Sequence, residues 1–392
     1  NNKLEKDVSQ KLVKIYKKRL NGEKVQQVEE DIPELLTALV NLKEQKYAVA
    51  FYDFVRLLKD NPDNIELIKK DKNMQENKEK DRGERKMADE LAVVTAEHAF
   101  LRRDAGTDQG ENESGIEDEI FSGWAVRILE EPENRAYVKV ETHYGYQGYL
   151  NKSEFRKISR TELEERQEKT KFFRIGIPEA DLLTQPKVQG LPRELLLKNS
   201  IVELLQEEVE TGWSLVRSAS GKEGYIHTQN LKRREEDDAY LLETEGETPG
   251  YFCRKAAKKL QEKTEEEIRE GLAESAKRFL GTQYRWGGKS SQGIDCSGLA
   301  FMSFLDNGLL IWRDAGIVEG YPIKSISSEA LKKGDLIFFP GHVAMYLGEG
   351  RYIHSTGFYK TPYVTINSLN EEDEDYREDL AQKITGYGSV FA

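Results

Sequence analysis

A multidomain α+β protein is the fold class this sequence predicts, on three observations. Residues 1–88 carry apolar positions at helical spacing. Residues 89–245 change to short alternating segments separated by turn residues, and the remainder mixes both patterns around Asp295-Cys296-Ser297-Gly298. A length of 392 residues also exceeds one ordinary core. The expected order is a helical bundle at 1–88, two small β-barrels at 89–160 and 161–245, and an α+β domain at 251–392.

In the first region Leu4, Val8, Leu12 and Ile15 mark one helical face, and Asn21-Gly22 is a stop signal. A second run from Pro33 to Lys59 carries Leu35, Leu36, Leu39, Leu42, Phe51, Phe54 and Leu58, and Asn61-Pro62-Asp63-Asn64 breaks it. Packing of these faces on one another explains them most simply; a partner for the helices is unknown. Lys69 to Glu90 is a charged linker.

Strands follow at Trp124–Leu129 and Ala136–Val140, closing with Gly145-Tyr146-Gln147-Gly148-Tyr149-Leu150. A second copy runs through Trp213–Arg217 and Gly221-Lys222-Glu223-Gly224-Tyr225-Ile226. Gly148-Tyr149 and Gly224-Tyr225 are offset by 76 residues, the size of a small barrel. After an acidic connector, Thr264-Glu265-Glu266-Glu267 opens an amphipathic helix to about Leu280. Next come a helix behind Asp295 and a hairpin, His342–Leu347 and Arg351–Ser355 around Gly348-Glu349-Gly350.

The bulk numbers narrow the function. A net charge of −12 and the lack of a basic stripe argue against nucleic acid. No apolar run approaches the roughly 18 residues of a membrane helix. Two cysteines build no disulfide framework. The chain begins with Asn1, so a removed leader is neither shown nor excluded.

Cys296 and two of the five histidines carry the chemistry. With Asp295 as N-cap, Cys296 falls in the first turn of a helix, where unpaired N–H groups and the helix dipole favour a thiolate. With a three-residue loop, Leu347 pairs with Arg351 and His354 lies opposite Ala344, making it the diagonal neighbour of His342. That spacing suits one histidine as base and the other as its orienting partner. An even-length loop would set the two rings on opposite faces. A zinc site would need further ligands, and no Cys-x-x-Cys or His-Glu-x-x-His occurs, so neither metal nor cofactor is expected.

Gly281-Thr282-Gln283-Tyr284-Arg285-Trp286-Gly287-Gly288, Asp295-Cys296-Ser297-Gly298, Gly334-Asp335-Leu336-Ile337-Phe338-Phe339, Gly341-His342-Val343-Ala344-Met345-Tyr346 and Ile353-His354-Ser355 occur in the order seen in one family. In these stretches the chain resembles the NlpC and p-sixty family of papain-like cell-wall cysteine peptidases. The resemblance implies Cys296 as nucleophile, His342 as base and His354 as its orienting residue. It implies cleavage of peptidoglycan stem peptides, commonly between D-γ-glutamate and a diamino acid. Tyr284, twelve residues before Cys296, is the expected oxyanion donor with the Cys296 N–H.

The two barrels resemble bacterial SH3-like domains. Together with the C-terminal domain they look like the three-domain γ-D-glutamyl-L-diamino acid endopeptidases, in which the first barrel closes one end of the groove around a free N-terminal L-alanine. That resemblance makes Asp314, Tyr146 and Glu119 candidate ligands of the ammonium, although Ala315 replaces a hydroxyl residue frequent beside the aspartate. Asp295, Ser297 and Trp286 are candidate substrate contacts. Family habit favours a location outside the cytoplasm, with a cytoplasmic role in recycling wall peptides as the alternative. Two other activities fit the same residues: acyl transfer from a thioester, and wall binding or an adaptor role without hydrolysis.

Overall fold

The computed structural model describes residues 90–105, 115–168, 170–234 and 250–392. The expected helical bundle at 1–88 lies outside the described residues. These described residues belong to one compact unit.

Seven short strands form the first sheet: β1 (Leu91–Val94), β2 (His98–Arg102), β3 (Ile116–Phe121), β4 (Ala125–Glu130), β5 (Tyr137–Thr142), β6 (Gln147–Asn151) and β7 (Phe155–Ile158). A short helix α1 (Arg160–Glu165) leads to seven more: β8 (Phe172–Ile175), β9 (Glu179–Leu183), β10 (Pro192–Leu197), β11 (Ile201–Glu210), β12 (Trp213–Arg217), β13 (Glu223–His227) and β14 (Leu231–Arg233). The strand orders are β3-β2-β6-β5-β4-β1-β7 and β10-β9-β13-β12-β11-β8-β14, so the second sheet repeats the first strand for strand. Two glycines show why the repeat carries Gly-Tyr. A Cβ at Gly148 would meet Leu101 Cβ at 2.8 Å, and one at Gly224 would meet the Leu183 carbonyl at 2.7 Å. Each glycine lets the closing strand approach its neighbour where a side chain would push it away.

The C-terminal part begins with α2 (Tyr251–Leu260) and α3 (Glu265–Lys277). Thr264 and Glu267 form a reciprocal capping box at the start of α3, which ends three residues before Leu280. A small ribbon, β15 (Lys289–Ser290) with β16 (Gly293–Ile294), precedes α4 (Cys296–Leu305). All ten residues of α4 are buried, so it is covered on every side rather than on one face.

A six-stranded antiparallel sheet closes the molecule: β17 (Lys324–Ile326), β18 (Leu336–Phe339), β19 (His342–Gly348), β20 (Arg351–Ser355), β21 (Val364–Ser368) and β22 (Gly386–Ser389), in the order β17-β22-β18-β19-β20-β21. The short helix α5 (Glu378–Ala381) lies between its last two strands in sequence.

The β19–β20 hairpin corrects one expectation. Gly348, not Leu347, pairs with Arg351, leaving the two-residue turn Glu349-Gly350 with φ of 51° and 73°. That even loop alone would separate the two histidines. A bulge at Leu347 restores the phase, because Tyr346 pairs with Tyr352 and Met345 with Ile353. His354 therefore still stands opposite Ala344, diagonal to His342.

Candidate active site

Asp295 caps α4 from an extended conformation, accepting from the Gly298 N–H at 2.6 Å and from the Gly287 N–H at 2.7 Å. Both its carboxylate oxygens also take hydrogen bonds of 3.1 Å from Arg313. The same guanidinium donates to Ser297 Oγ at 2.8 Å. Asp295 and Ser297 are thus committed internally and buried. These bonds hold the start of the Cys296 helix.

Across the site, His342 Nε2 and His354 Nδ1 are 2.8 Å apart, and His354 Nε2 lies 2.9 Å from Asn367 Oδ1. Asn367 Nδ2 donates to the Asp375 carbonyl at 2.7 Å. Burial dominates the electrostatics. It lowers His342 to about 4, helped by Arg377, and lowers His354 to about 3, helped by His342. Burial, with Asp295, also pushes the Cys296 thiol up to about 11, against the backbone N–H groups of Val343 and Ser297. The expectation of a thiol lowered by its helix is therefore corrected, since desolvation outweighs the helix end. Burial disfavours each charge singly, yet it strengthens the attraction between a thiolate and an imidazolium.

Tyr284 stands beside Cys296 and Asp295; with burial, their charges hold its phenol well above its ordinary range, so it remains a donor. Trp286, two residues on, is 60% exposed and open to a ligand.

The first sheet supplies the other end of the site. Tyr146 donates to Asp314 at 3.1 Å, and its ring lies 5.4 Å from that of Trp312. Asp314 is exposed to solvent, yet the protein atoms around its carboxylate desolvate it. Desolvation there raises it to about 6 despite the neighbouring Arg313 and the bond from Tyr146. Glu119 is not part of this end. It is 0% exposed and accepts from the Lys289 N–H at 2.5 Å and Ser290 Oγ at 3.0 Å, with His98 as a third partner. Strand β3 buries it between the sheet and β15, so its expected role with an ammonium is corrected. Tyr146 feels Asp314 and Asp118 and, more weakly, Glu117, which stands at a bulge in β3 where Arg103 donates to it at 2.7 Å.

Four residues that sequence reasoning missed hold these parts together. Asp118, on β3, accepts from Arg313 Nε at 2.6 Å and from Lys289 Nζ at 3.0 Å, and binds the Tyr144 hydroxyl. Lys289 lies over the rings of Tyr144 at 4.4 Å and Phe301 at 4.6 Å, and burial lowers it to about 8. One buried chain of charge therefore runs from the first sheet through Arg313 to the cap of the Cys296 helix. Asn367 is the fourth. The only sequence signals were Arg313 after the apolar run Leu309–Trp312 and a polar Asn367 within a strand pattern.

A thiol at a buried helix start, two bonded histidines and a phenol beside the sulfur are the parts of a papain-like cysteine hydrolase. Residues 281–377 match the NlpC/P60 family. Dipeptidyl-peptidase 6 of Lysinibacillus sphaericus is 39% identical over 281 residues, which cover 70% of this chain and 92% of that protein. A gamma-D-glutamyl-L-lysine dipeptidyl-peptidase of Bacillus cereus is 41% identical over 92 residues, 21% of this chain and 27% of that protein. A crystal structure of an NlpC/P60 family protein from Bacillus cereus superposes with a TM-score of 0.54 at 21% identity, over 77% of this chain and all of that one, which shows a shared fold. The chain belongs to the NlpC/P60 family and is a cysteine peptidase.

Proposed function

We propose that this chain hydrolyses the bond between D-γ-glutamate and the diamino acid of peptidoglycan stem peptides that carry a free N-terminal L-alanine. The observation that carries the proposal is the pairing of Asp314 with Tyr146 at the end of a site that also holds Cys296, His342 and His354. The names of the two relatives, a dipeptidyl-peptidase and a gamma-D-glutamyl-L-lysine dipeptidyl-peptidase, agree with it.

In this reading Cys296 Sγ attacks the γ-carbonyl carbon of D-glutamate as His342 takes its proton. Nε2 of His342 is engaged by His354, so Nδ1 is the receiving atom. Tyr284 and the Cys296 N–H stabilise the oxyanion. The carbon–nitrogen bond breaks, the amine of the diamino acid leaves with the proton from His342, and water then hydrolyses the thioester, releasing L-Ala-D-Glu. Asp314 and Tyr146 receive the ammonium of the alanine, with Glu117 in place of Glu119 as the second carboxylate. Trp286 offers an apolar wall to the peptide. The sheets at 89–160 and 161–245 are read as SH3-like barrels, and 251–392 as the papain-like catalytic domain. Relatives named as cell-wall hydrolases favour an extracytoplasmic site of action. No helix among the described residues is long and apolar enough to cross a membrane.

Mass spectrometry of L-Ala-γ-D-Glu-meso-diaminopimelate, its N-acetyl form and a Cys296→Ala variant tests the proposal. Release of L-Ala-D-Glu only from the free peptide and only with Cys296 present is the expected result. Cleavage of both peptides would refute the ammonium pocket, and turnover by Cys296→Ala would refute the nucleophile.

A further inference from the structure

His342, His354 and Asn367 form one diagonal row across β19, β20 and β21. His354 stands opposite Ala344 on one side, and opposite Thr365, two residues before Asn367, on the other. We infer that Asn367 is a positioning residue whose amide orientation selects the tautomer of His342 able to take the Cys296 proton. The inference rests on the reading of Cys296 and His342 as nucleophile and base.

The argument runs along three contacts. The Asp375 carbonyl can only accept, so the Asn367 atom 2.7 Å from it is the NH2 group. A flipped amide would set two oxygens face to face. The Asn367 oxygen therefore faces His354 Nε2 at 2.9 Å, and it too can only accept. Neutral His354 must then carry its hydrogen on Nε2 and its lone pair on Nδ1. That lone pair lies 2.8 Å from His342 Nε2, which must carry a hydrogen in turn. Neutral His342 is left with its lone pair on Nδ1, the nitrogen that serves as base.

The opposite pair of tautomers would press the His354 Nε2 lone pair against the Asn367 oxygen, in a place closed to water. His354 is 0% exposed, so nothing relieves that repulsion. In that state His342 would carry hydrogen on Nδ1 and could not accept the thiol proton. Without an acceptor at position 367 the two tautomers become comparable, and part of the enzyme rests in the inactive one. The charged and titratable groups facing the pair are Arg377 and Asp379, Asp295 and Cys296 on the α4 side, and Tyr352, whose ring lies 5.1 Å from His354. None of them offers His354 Nε2 the acceptor that Asn367 does.

Nitrogen NMR of the whole chain labelled in its five histidines reads the tautomers directly. Hydrogen on Nε2 of both His342 and His354 is expected, and hydrogen on Nδ1 of either in the neutral state would overturn the inference. Kinetics give a second test. Asn367→Leu should lower kcat by about ten- to a hundredfold, a part of what a general base contributes, with KM little changed. Asn367→Asp keeps an acceptor, so it should recover most of kcat. Its negative charge should also move the acid limb of the kcat profile up by about one pH unit. Wild-type kcat and an unmoved profile in Asn367→Leu would sink the proposal. If that variant fails to fold, the wild-type spectrum still decides. Turnover by Cys296→Ala would instead strike the underlying nucleophile assignment, which the NMR result does not touch.

Discussion

His342 and Asp314 should answer to acid at different stages of the reaction. His342 must be neutral to act as base, and burial lowers it to about 4, so kcat should hold well below the ordinary histidine range and fall only as pH drops through about 4. Asp314 must be ionised to hold an ammonium, and desolvation by the surrounding protein raises it to about 6 although solvent still reaches it, so KM should rise as pH falls through about 6. The two limbs separate in a profile of kcat and KM taken from pH 3 to 8 (about five units, enough to bracket both groups). Asp314→Asn should remove the upper limb, raise KM at neutral pH and leave the lower limb in place. An unmoved KM in that variant would show that the ammonium binds elsewhere. Cys296 enters neither limb, because burial raises its thiol to about 11, above that range.

Asp118 shows how one strand of the first sheet reaches the start of the Cys296 helix. It lies on β3, yet it is the shared counter-ion of Arg313 and Lys289, and Arg313 in turn holds the cap of α4. Removing one partner from a buried charge group leaves the others uncompensated, a loss of about 3–5 kcal/mol. Asp118→Ala should accordingly lower the urea midpoint strongly. Turnover per folded molecule should fall as well, because Arg313 would no longer be held against Asp295. A variant of unchanged stability would show that water or Tyr144 replaces the carboxylate at no cost. The hairpin makes the complementary point. Its even turn would have split the histidines, and the bulge at Leu347 rejoins them.

The described residues form one compact unit that contains both seven-stranded sheets and the part around Cys296. A chain starting at Gly250 loses Asp118, Glu119 and Tyr146. It should be much less stable, with Arg313 and Lys289 stripped of their counter-ion.

Much of the site was legible beforehand because its logic is local. A cap followed by a cysteine, and two histidines separated by one turn, depend on spacing along a helix start and a hairpin, and Asp295, Cys296, His342 and His354 follow from it. The two strand sets were legible for the same reason: alternation and a repeated Gly-Tyr report contacts between neighbouring strands. What the sequence by itself determined about this protein is therefore the cysteine at its helix start, its histidine pair and its family. Only the tertiary structure decided that Glu119 is buried while Asp118 joins Arg313 to Lys289, that Asn367 completes the histidine row, and that burial raises the Cys296 thiol. Those outcomes depend on which groups meet across long stretches of chain and how much water is left around them. A contact such as Asp118 with Arg313, 195 residues apart, leaves no periodic trace. A buried charge is set by its surroundings, and these exist only once the chain has folded.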